Sequence, residues 1–222
     1  QQLNVVICGF DHYENIDVNP SYEVPEALVR DGIGEPSDVD DPLHDANVSI
    51  NTVALPVSFA NAWPTLLETL DATRPDIVIA TGLKHAAHSV AMERCATNLM
   101  NAARPDADNA LPRFEPIIKD GPAALDRLPL RAIINDFARD GIPATLSSDA
   151  GTFVCNSLFY QLLHWTATQD RVLAGFVSFP PIMAEQLQNG LDLRQQVRAG
   201  RDVVRETVRY YLQPSSGDIL IA

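Results

Sequence analysis

The chain has 222 residues, of which 46% are hydrophobic and 20% are charged. This is ordinary globular usage, and it excludes intrinsic disorder, collagen and coiled coil. Sixteen Lys and Arg residues against 29 Asp and Glu residues give a formal net charge of -13. Such a surface repels phosphate backbones, so we expect no nucleic acid partner.

Hydropathy and cysteine usage set the expected compartment. The sequence contains no run approaching the roughly 18 consecutive apolar residues of a membrane span, so we expect a soluble, cytoplasmic protein with no membrane partner. Its three cysteines are Cys8, Cys95 and Cys155. They are far apart and form no CxxC or Cys/His pair, which predicts neither a disulfide framework nor a zinc site and leaves at least one free thiol.

Five segments are predicted to be strands because they are short, apolar and rich in β-branched residues, most of them closed by Gly or Pro. In chain order they are Asn4–Cys8, Val48–Leu55, Asp76–Thr81, Ala144–Ser147 and Val172–Phe179. Pro180 follows the last segment and cannot continue a central ladder.

Five helices are predicted between and after these strands, the first from its cap at Asn19 and the third from the helical spacing of its apolar side chains. They run from Asn19 to about Arg30, to an end near Ala72 with Pro64 in the first turn, over Pro129–Asp140, from about Thr152 to Thr168, and over Leu193–Leu212. This alternation predicts a single α/β domain over residues 1–222, with an open, mostly parallel twisted sheet and helices on both faces.

Two segments are predicted to lie outside the regular elements. Asp31–Asn47 is rich in Gly, Pro and Asp and is expected to be a surface insertion. Arg104–Gly121 is rich in Pro and Asp and is expected to loop across one face of the domain.

Ligands of open α/β sheets bind at the carboxyl ends of the strands, which directs attention to Cys155. This residue follows a predicted strand and a turn at Gly151, and it falls in the first turn of a predicted helix. The free N–H groups and the helix dipole there favour a thiolate and can also hydrogen-bond an oxyanion. The alternative is that Cys155 is a small buried hydrophobe.

Two further groups carry candidate chemistry. Glu93 lies between apolar neighbours, where a carboxylate can orient a histidine or tune a base; a salt bridge to Arg94 or contact with solvent is the alternative. His85 and His88 follow a predicted strand, but without Cys or a paired carboxylate they are a weak metal signal, and surface histidines are the favoured interpretation. No metal is predicted.

Seven different short motifs lie in order along nearly the whole chain. They are Gly9-Phe10-Asp11, Asn19-Pro20-Ser21, Glu93-Arg94 with Asn98, Gly121-Pro122-Ala123, Leu128-Pro129, Gly141-Ile142-Pro143-Ala144 and Ala150-Gly151-Thr152-Phe153-Val154-Cys155-Asn156. Their order and spacing resemble the pyroglutamyl peptidase I family, also called pyrrolidone-carboxylate peptidases. The last motif is the most specific.

The resemblance implies a doubly wound α/β fold and a Cys–His–Glu triad that removes an N-terminal pyroglutamyl residue from small peptides, without metal or organic cofactor. Cys155 is then the nucleophile and Glu93 the carboxylate that orients the base. The family's tetrameric assembly is expected, unless the segment Asp31–Asn47 obstructs a shared face. The side chains that the resemblance places around the lactam ring are Phe10, Tyr13, Val57, Leu83, Phe153 and Val154.

The chain departs from the family at the third triad member. The family's histidine lies in a Gly-Phe-Ile-His-x-Pro-like motif, and the matching run here is Gly175-Phe176-Val177-Ser178-Phe179-Pro180. A serine hydroxyl is no general base near neutral pH, so the standard mechanism is incomplete at Ser178.

Three alternatives follow from Ser178. In the first, another imidazole replaces the missing base: His12 is the leading candidate, His85 or His88 is the next, and His164 is too far along its helix. In the second, the pocket binds pyroglutamyl termini without efficient cleavage, as a pseudoenzyme. In the third, Cys155 processes a different acyl substrate.

Overall fold

The computed structural model describes residues 1–13, 16–122, 124–125, 127–183 and 190–214. These residues form an α/β domain whose main sheet has seven strands. In chain order the strands of the protein are β1 Gln2–Phe10, β2 Asn47–Asn51, β3 Ala54–Leu55, β4 Ile77–Leu83, β5 Val90–Glu93, β6 Cys95–Ala96, β7 Ala124–Leu125, β8 Ala144–Ser147 and β9 Leu173–Phe179. The helices are α1 Pro20–Asp31, α2 Ala62–Thr73, α3 Leu130–Arg139, α4 Val154–Thr166 and α5 Leu193–Leu212.

The main sheet has the strand order β2-β1-β4-β9-β5-β8, with β3 pairing the end of β1. Neighbouring strands are parallel except for β9 and β5, which run antiparallel. This confirms the predicted open, mostly parallel sheet. The strands β6 and β7 form a separate antiparallel ribbon.

The two faces of the sheet carry two separate cores, because successive side chains of a strand point to opposite sides. On β1, Val5 and Ile7 pack into the core formed with α1, α3 and α5, whereas Val6 and Cys8 pack into the core formed with α2 and α4. The prediction of helices on both faces is therefore confirmed. Burial on both faces also explains why the inner strands read as continuous apolar runs.

Local sequence signals set the helix ends. The Asn19 side chain accepts a hydrogen bond from the Ser21 backbone N–H at 3.0 Å, and Pro20 occupies the first position of α1. Asp192 and Gln195 form a reciprocal capping box at the start of α5, whose bounds are those predicted. Pro64 lies in the first turn of α2, as expected.

Two strand predictions are corrected. The segment predicted as one strand over Val48–Leu55 is split into β2 and β3, which pair with opposite ends of β1. Strand β5 was not predicted, because it is only four residues long, ends in an ionisable residue and lacks a Gly or Pro boundary. The tertiary partners β9 and β8 specify it instead.

The segment 31–47 is anchored to the domain rather than wholly exposed. It contains a 3₁₀ turn at Pro42–Asp45, whose Leu43 is buried. The Asp41 carboxylate accepts two hydrogen bonds from Arg209 of α5, at 2.9 and 2.7 Å. The segment 104–121 contains no regular helix or strand, as predicted.

Candidate active site

The carboxyl end of the sheet brings the predicted nucleophile against a glycine of β4. Gly82, Ser178 and Ala91 are partners in the register of β4, β9 and β5, so their side-chain directions share the sheet face covered by α4. A Cβ atom on Gly82 would lie 2.7 Å from Cys155 Sγ. The absence of a side chain at Gly82 therefore allows the thiol to lie directly over the sheet.

Cys155 is the second residue of α4, in the first turn as predicted. The preceding turn uses Gly151, whose φ of 75° favours glycine, and Asp149 Oδ1 accepts a hydrogen bond from the Gly151 N–H at 2.8 Å. Burial and the Glu93 carboxylate raise the pKa of the Cys155 thiol to about 12, while Arg104 and Lys84 act in the opposite direction. Cys155 thus combines a place in the first turn of a helix, which favours the thiolate, with burial and a neighbouring carboxylate, which disfavour it.

Glu93 lies at the end of β5 and is fully buried. Its Oε1 atom accepts a hydrogen bond from Ser178 Oγ at 2.8 Å and one from Lys84 Nζ at 3.2 Å. Its Oε2 atom has no hydrogen-bond partner among the described residues. The alternative of a salt bridge between Glu93 and Arg94 is not observed, because the guanidinium of Arg94 instead donates to Ser148 Oγ at 3.3 Å.

A cavity of about 70 Å³ opens beside the thiol. Cys155 and all six residues predicted to surround the lactam ring line it. The lining residues that were not assigned to the ring pocket from the sequence are Asp11, Ile16, Asn19, Ser21, His85 and Arg104.

Arg104 is a charged lining residue that sequence reasoning did not identify as a site residue. Its guanidinium carbon lies 4.9 Å from the ring centroid of Phe153 and 5.8 Å from that of Tyr13. The Tyr13 hydroxyl donates a hydrogen bond to the Pro105 carbonyl at 2.7 Å, which ties the two walls together. Because the segment 104–121 has no periodic pattern, no local signal indicated that its first residue reaches the cavity.

The candidate histidines differ in their position relative to Cys155 and the cavity. His85 lines the cavity together with Cys155, and it is the one imidazole among the described lining residues. His12, the leading candidate for a replacement base, is exposed as His85 is, but it is not among the described residues that line the cavity. Its ring lies 5.1 Å from that of Tyr22, and its Nδ1 lies 3.4 Å from Asp11 Oδ1. His164 is near the end of α4, remote from Cys155 at its start.

The described residues offer neither a cluster of metal ligands nor a membrane-spanning helix. Within the described ranges, no group of three or more His, Cys, Asp or Glu residues is arranged to hold a metal ion. Within the same part of the chain, no helix has both the length and the apolar character needed to cross a bilayer.

Comparison with known proteins places the chain in a family. The pyroglutamyl peptidase family profile matches residues 3–197. The pyrrolidone-carboxylate peptidase of Bacillus licheniformis is 36% identical over 178 residues, which is 79% of this chain and 77% of that protein. Pyrrolidone-carboxylate peptidase 1 of Ralstonia nicotianae is 36% identical over 183 residues, 82% of this chain and 80% of that protein.

Solved structures agree with the sequence relatives. Pyrrolidone carboxyl peptidase from Thermococcus litoralis superposes with a TM-score of 0.84 at 30% identity, covering 99% of both chains. Pyroglutamyl peptidase I of Bacillus amyloliquefaciens gives a TM-score of 0.82 at 28% identity, covering 94% of this chain and 98% of that one. With its sheet order, its thiol at the start of α4 and these relatives, the chain belongs to the pyroglutamyl peptidase family.

Proposed function

We propose that this protein hydrolyses the amide bond that follows an N-terminal pyroglutamyl residue of small peptides, with Cys155 as the nucleophile. The observation that carries the proposal is the cavity of about 70 Å³ that is lined both by the Cys155 thiol and by the aromatic and apolar residues expected around a lactam ring. The aromatic rings of Phe10, Tyr13 and Phe153 form flat, apolar walls against which a five-membered lactam ring can pack. Such a pocket suits a neutral, compact acyl group.

The reaction proceeds in two halves. The Cys155 thiolate attacks the pyroglutamyl carbonyl carbon, and the free N–H groups at the start of α4 stabilise the oxyanion that forms. Collapse breaks the carbon–nitrogen bond, and the departing amine takes up the proton that the thiol gave to the base. Water then attacks the thioester, releases pyroglutamate and returns the thiolate. This chemistry needs no metal or organic cofactor.

The site lacks a base at Ser178, where the family resemblance expects the histidine that accepts the thiol proton. Ser178 stands at the position of the family's histidine, and its hydroxyl donates to Glu93 Oε1, so it holds the carboxylate but accepts no proton from the thiol. We propose that His85, which lines the cavity, replaces the missing base, in place of His12, whose ring packs beside Tyr22.

A second candidate function is binding of pyroglutamyl termini without turnover. The observation that favours it is the hydrogen bond from Ser178 Oγ to Glu93 Oε1 at 2.8 Å, which leaves no base at the position where the family resemblance expects a histidine. Burial, which raises the pKa of the Cys155 thiol to about 12, acts in the same direction. A pocket with intact walls and a protonated thiol would retain the lactam ring but leave the amide bond uncleaved.

Hydrolysis of a pyroglutamyl p-nitroanilide by the wild-type chain, C155S, H85A, H12A and S178H tests both candidates. Turnover by the wild type that disappears in C155S, falls in H85A and persists in H12A is expected for the peptidase with His85 as base. Equal rates in H85A and wild type would contradict the role of His85. Absence of wild-type turnover, with activity gained in S178H, would overturn the peptidase and support the binding function.

A further inference from the structure

One buried carboxylate near the thiol has two donors on the same oxygen. Glu93 Oε1 accepts from Ser178 Oγ and from Lys84 Nζ, and the side-chain exposure is 0% for Glu93 and 40% for Lys84. Lys84 Nζ also donates to the Asp149 carbonyl at 3.0 Å. The ammonium group thus links the carboxylate to the turn that leads into α4.

The position of Lys84 places its side chain on the face that holds Cys155. Lys84 follows β4 directly, and its backbone N–H donates to the Phe179 carbonyl at 2.8 Å, which continues the pairing of β4 with β9. Side chains alternate along a strand, so Lys84 shares its side with Gly82, two residues earlier. Gly82 is the residue on which the Cys155 sulfur rests.

The charges around Cys155 come from three elements. The Glu93 carboxylate of β5 disfavours the thiolate, whereas Arg104 and Lys84 favour it. The other titratable groups that line the cavity are Asp11, Tyr13 and His85. Without the ammonium group of Lys84, the buried carboxylate would face the thiol with one counteracting cation fewer.

We propose that Lys84 is a positioning residue that supplies, beside Glu93, the positive charge that an imidazolium carries in a Cys–His pair. Its ammonium group neutralises the buried carboxylate and stabilises the Cys155 thiolate, without itself contacting the substrate. The inference rests on the proposed function for the reactive thiol. It does not require turnover of pyroglutamyl substrates, so it can be tested separately.

The test is the rate at which iodoacetamide alkylates Cys155, measured between pH 7 and 9 by mass spectrometry of the peptide that contains this residue. The thiol gives its proton to solvent, the sulfur forms a bond to carbon, and iodide leaves. At pH values below the thiol pKa this rate follows the thiolate fraction. Because mass spectrometry separates the peptides, reaction at Cys8 or Cys95 does not interfere.

We compare the wild type with K84M, K84R and H85Q, using K119M as the control. K84M is expected to slow alkylation about tenfold at each pH, the change that a thiol pKa one unit higher produces. K84R keeps the charge and is expected to stay within about threefold of the wild type. Lys119 is exposed and is the other lysine of the sequence, so K119M is expected to leave the rate unchanged. H85Q shows how much of any pH dependence comes from the neighbouring imidazole.

A second comparison covers the case in which K84M does not fold with Glu93 left unpaired. E93Q is expected to alkylate faster than the wild type, and the double variant K84M/E93Q about tenfold more slowly than E93Q. Equal rates for E93Q and the double variant, or for wild type and K84M, would overturn the inference. A wild type that shows no pyroglutamyl turnover but a Lys84-dependent alkylation rate would contradict the proposed function and support this inference; turnover with a Lys84-independent rate would do the reverse.

Discussion

Gly82 determines how closely the Cys155 thiol approaches the sheet. A methyl group at this position would lie 2.7 Å from Sγ and 2.9 Å from the Phe176 ring, so one of the neighbours must move. We expect G82A to lower the pyroglutamyl hydrolysis rate and the alkylation rate of Cys155 at least about tenfold, and the free energy of unfolding by about 1–3 kcal/mol.

The matched control for G82A is G141A. Gly141 has a φ of 68° and open space around its Cα, so alanine there strains the backbone without touching the site. It is expected to cost about 1 kcal/mol of stability and to leave the alkylation rate of Cys155 unchanged. Equal reactivity of Cys155 in G82A and wild type would show that the contact does not position the thiol.

At the residue scale, the sequence indicated which side chains line the cavity more readily than which charged side chains pair with each other. Cys155 and Phe153 were predicted because they lie in one seven-residue motif, and the cavity contains both. The pairing of Lys84 with Glu93 was not predicted, because β9 enters the sheet between β4, which Lys84 follows, and β5, which carries Glu93. The sequence interval between the two residues does not show this insertion.

Asn19 joins the start of α1 to the end of β1, and so connects the helix cap to the cavity wall. Its Oδ1 accepts from the Ser21 N–H and Oγ, at 3.0 and 2.8 Å, and its Nδ2 donates to the Phe10 carbonyl at 3.2 Å. Loss of the cap and of this buried donor in N19A is expected to lower the free energy of unfolding by about 2 kcal/mol in urea titrations.

N19D separates the two roles of Asn19. Aspartate keeps the cap acceptor but cannot donate to the Phe10 carbonyl, so we expect a smaller loss of stability than in N19A together with a raised KM for the pyroglutamyl substrate. If N19D matched N19A in stability, the cap would not account for the loss.

Among elements, those with their own start and stop signals were predicted closely. The bounds of α5 agree with the prediction because its amphipathic spacing and its capping residues lie in one continuous segment. Strand β5 was missed because its pairing partners come from 144–147 and 173–179, far along the chain. The two-residue strands β6 and β7 are too short for any periodic pattern.

At the scale of the whole molecule, the ion pair between Asp41 and Arg209 holds the segment 31–47 against α5. The Arg209 guanidinium holds the pKa of this buried carboxyl well below its usual range. The backbone N–H groups of Ser37 and Leu43 lower it further, by smaller amounts. A carboxyl whose folded-state pKa is depressed stabilises the fold above its unfolded-state pKa of about 4, and this contribution is lost as the pH falls through the folded value.

D41N is therefore expected to lower the free energy of unfolding by about 3 kcal/mol at pH 7, measured in urea, with a smaller difference from the wild type at pH 3. The control D45N changes an exposed carboxylate of the same segment and is expected to change stability by less than about 0.5 kcal/mol. A difference between D41N and wild type that is independent of pH would contradict the ion-pair explanation.

The Asp202 carboxyl of α5 affects the pH dependence of stability in the opposite direction to Asp41. Burial raises the pKa of its carboxyl to about 7, and hydrogen bonding and repulsion from Asp140 add to this effect. Between about pH 4 and 7 the unfolded chain releases a proton that the folded chain retains, so stability falls as the pH rises and the loss is complete above about 7.

D202N removes this loss while its amide can still donate to Asp140. We expect D202N to exceed the wild type in unfolding free energy by about 1–2 kcal/mol at pH 8 and to match it more closely at pH 5, in urea titrations at both values. A D202N variant less stable than the wild type at pH 8 would show that the carboxylate is needed for packing rather than tolerated.

The place of β9 in the strand order has a consequence for how the protein is made. This strand lies between β4 and β5, yet among the described residues it is the last strand in chain order, ending at Phe179. A nascent chain on the ribosome therefore carries two unjoined halves of the sheet until residues 173–179 have emerged. Ser178, on that strand, joins Glu93 only when the gap closes, so the polar centre of the site assembles late and through contacts distant in sequence, which fold slowly.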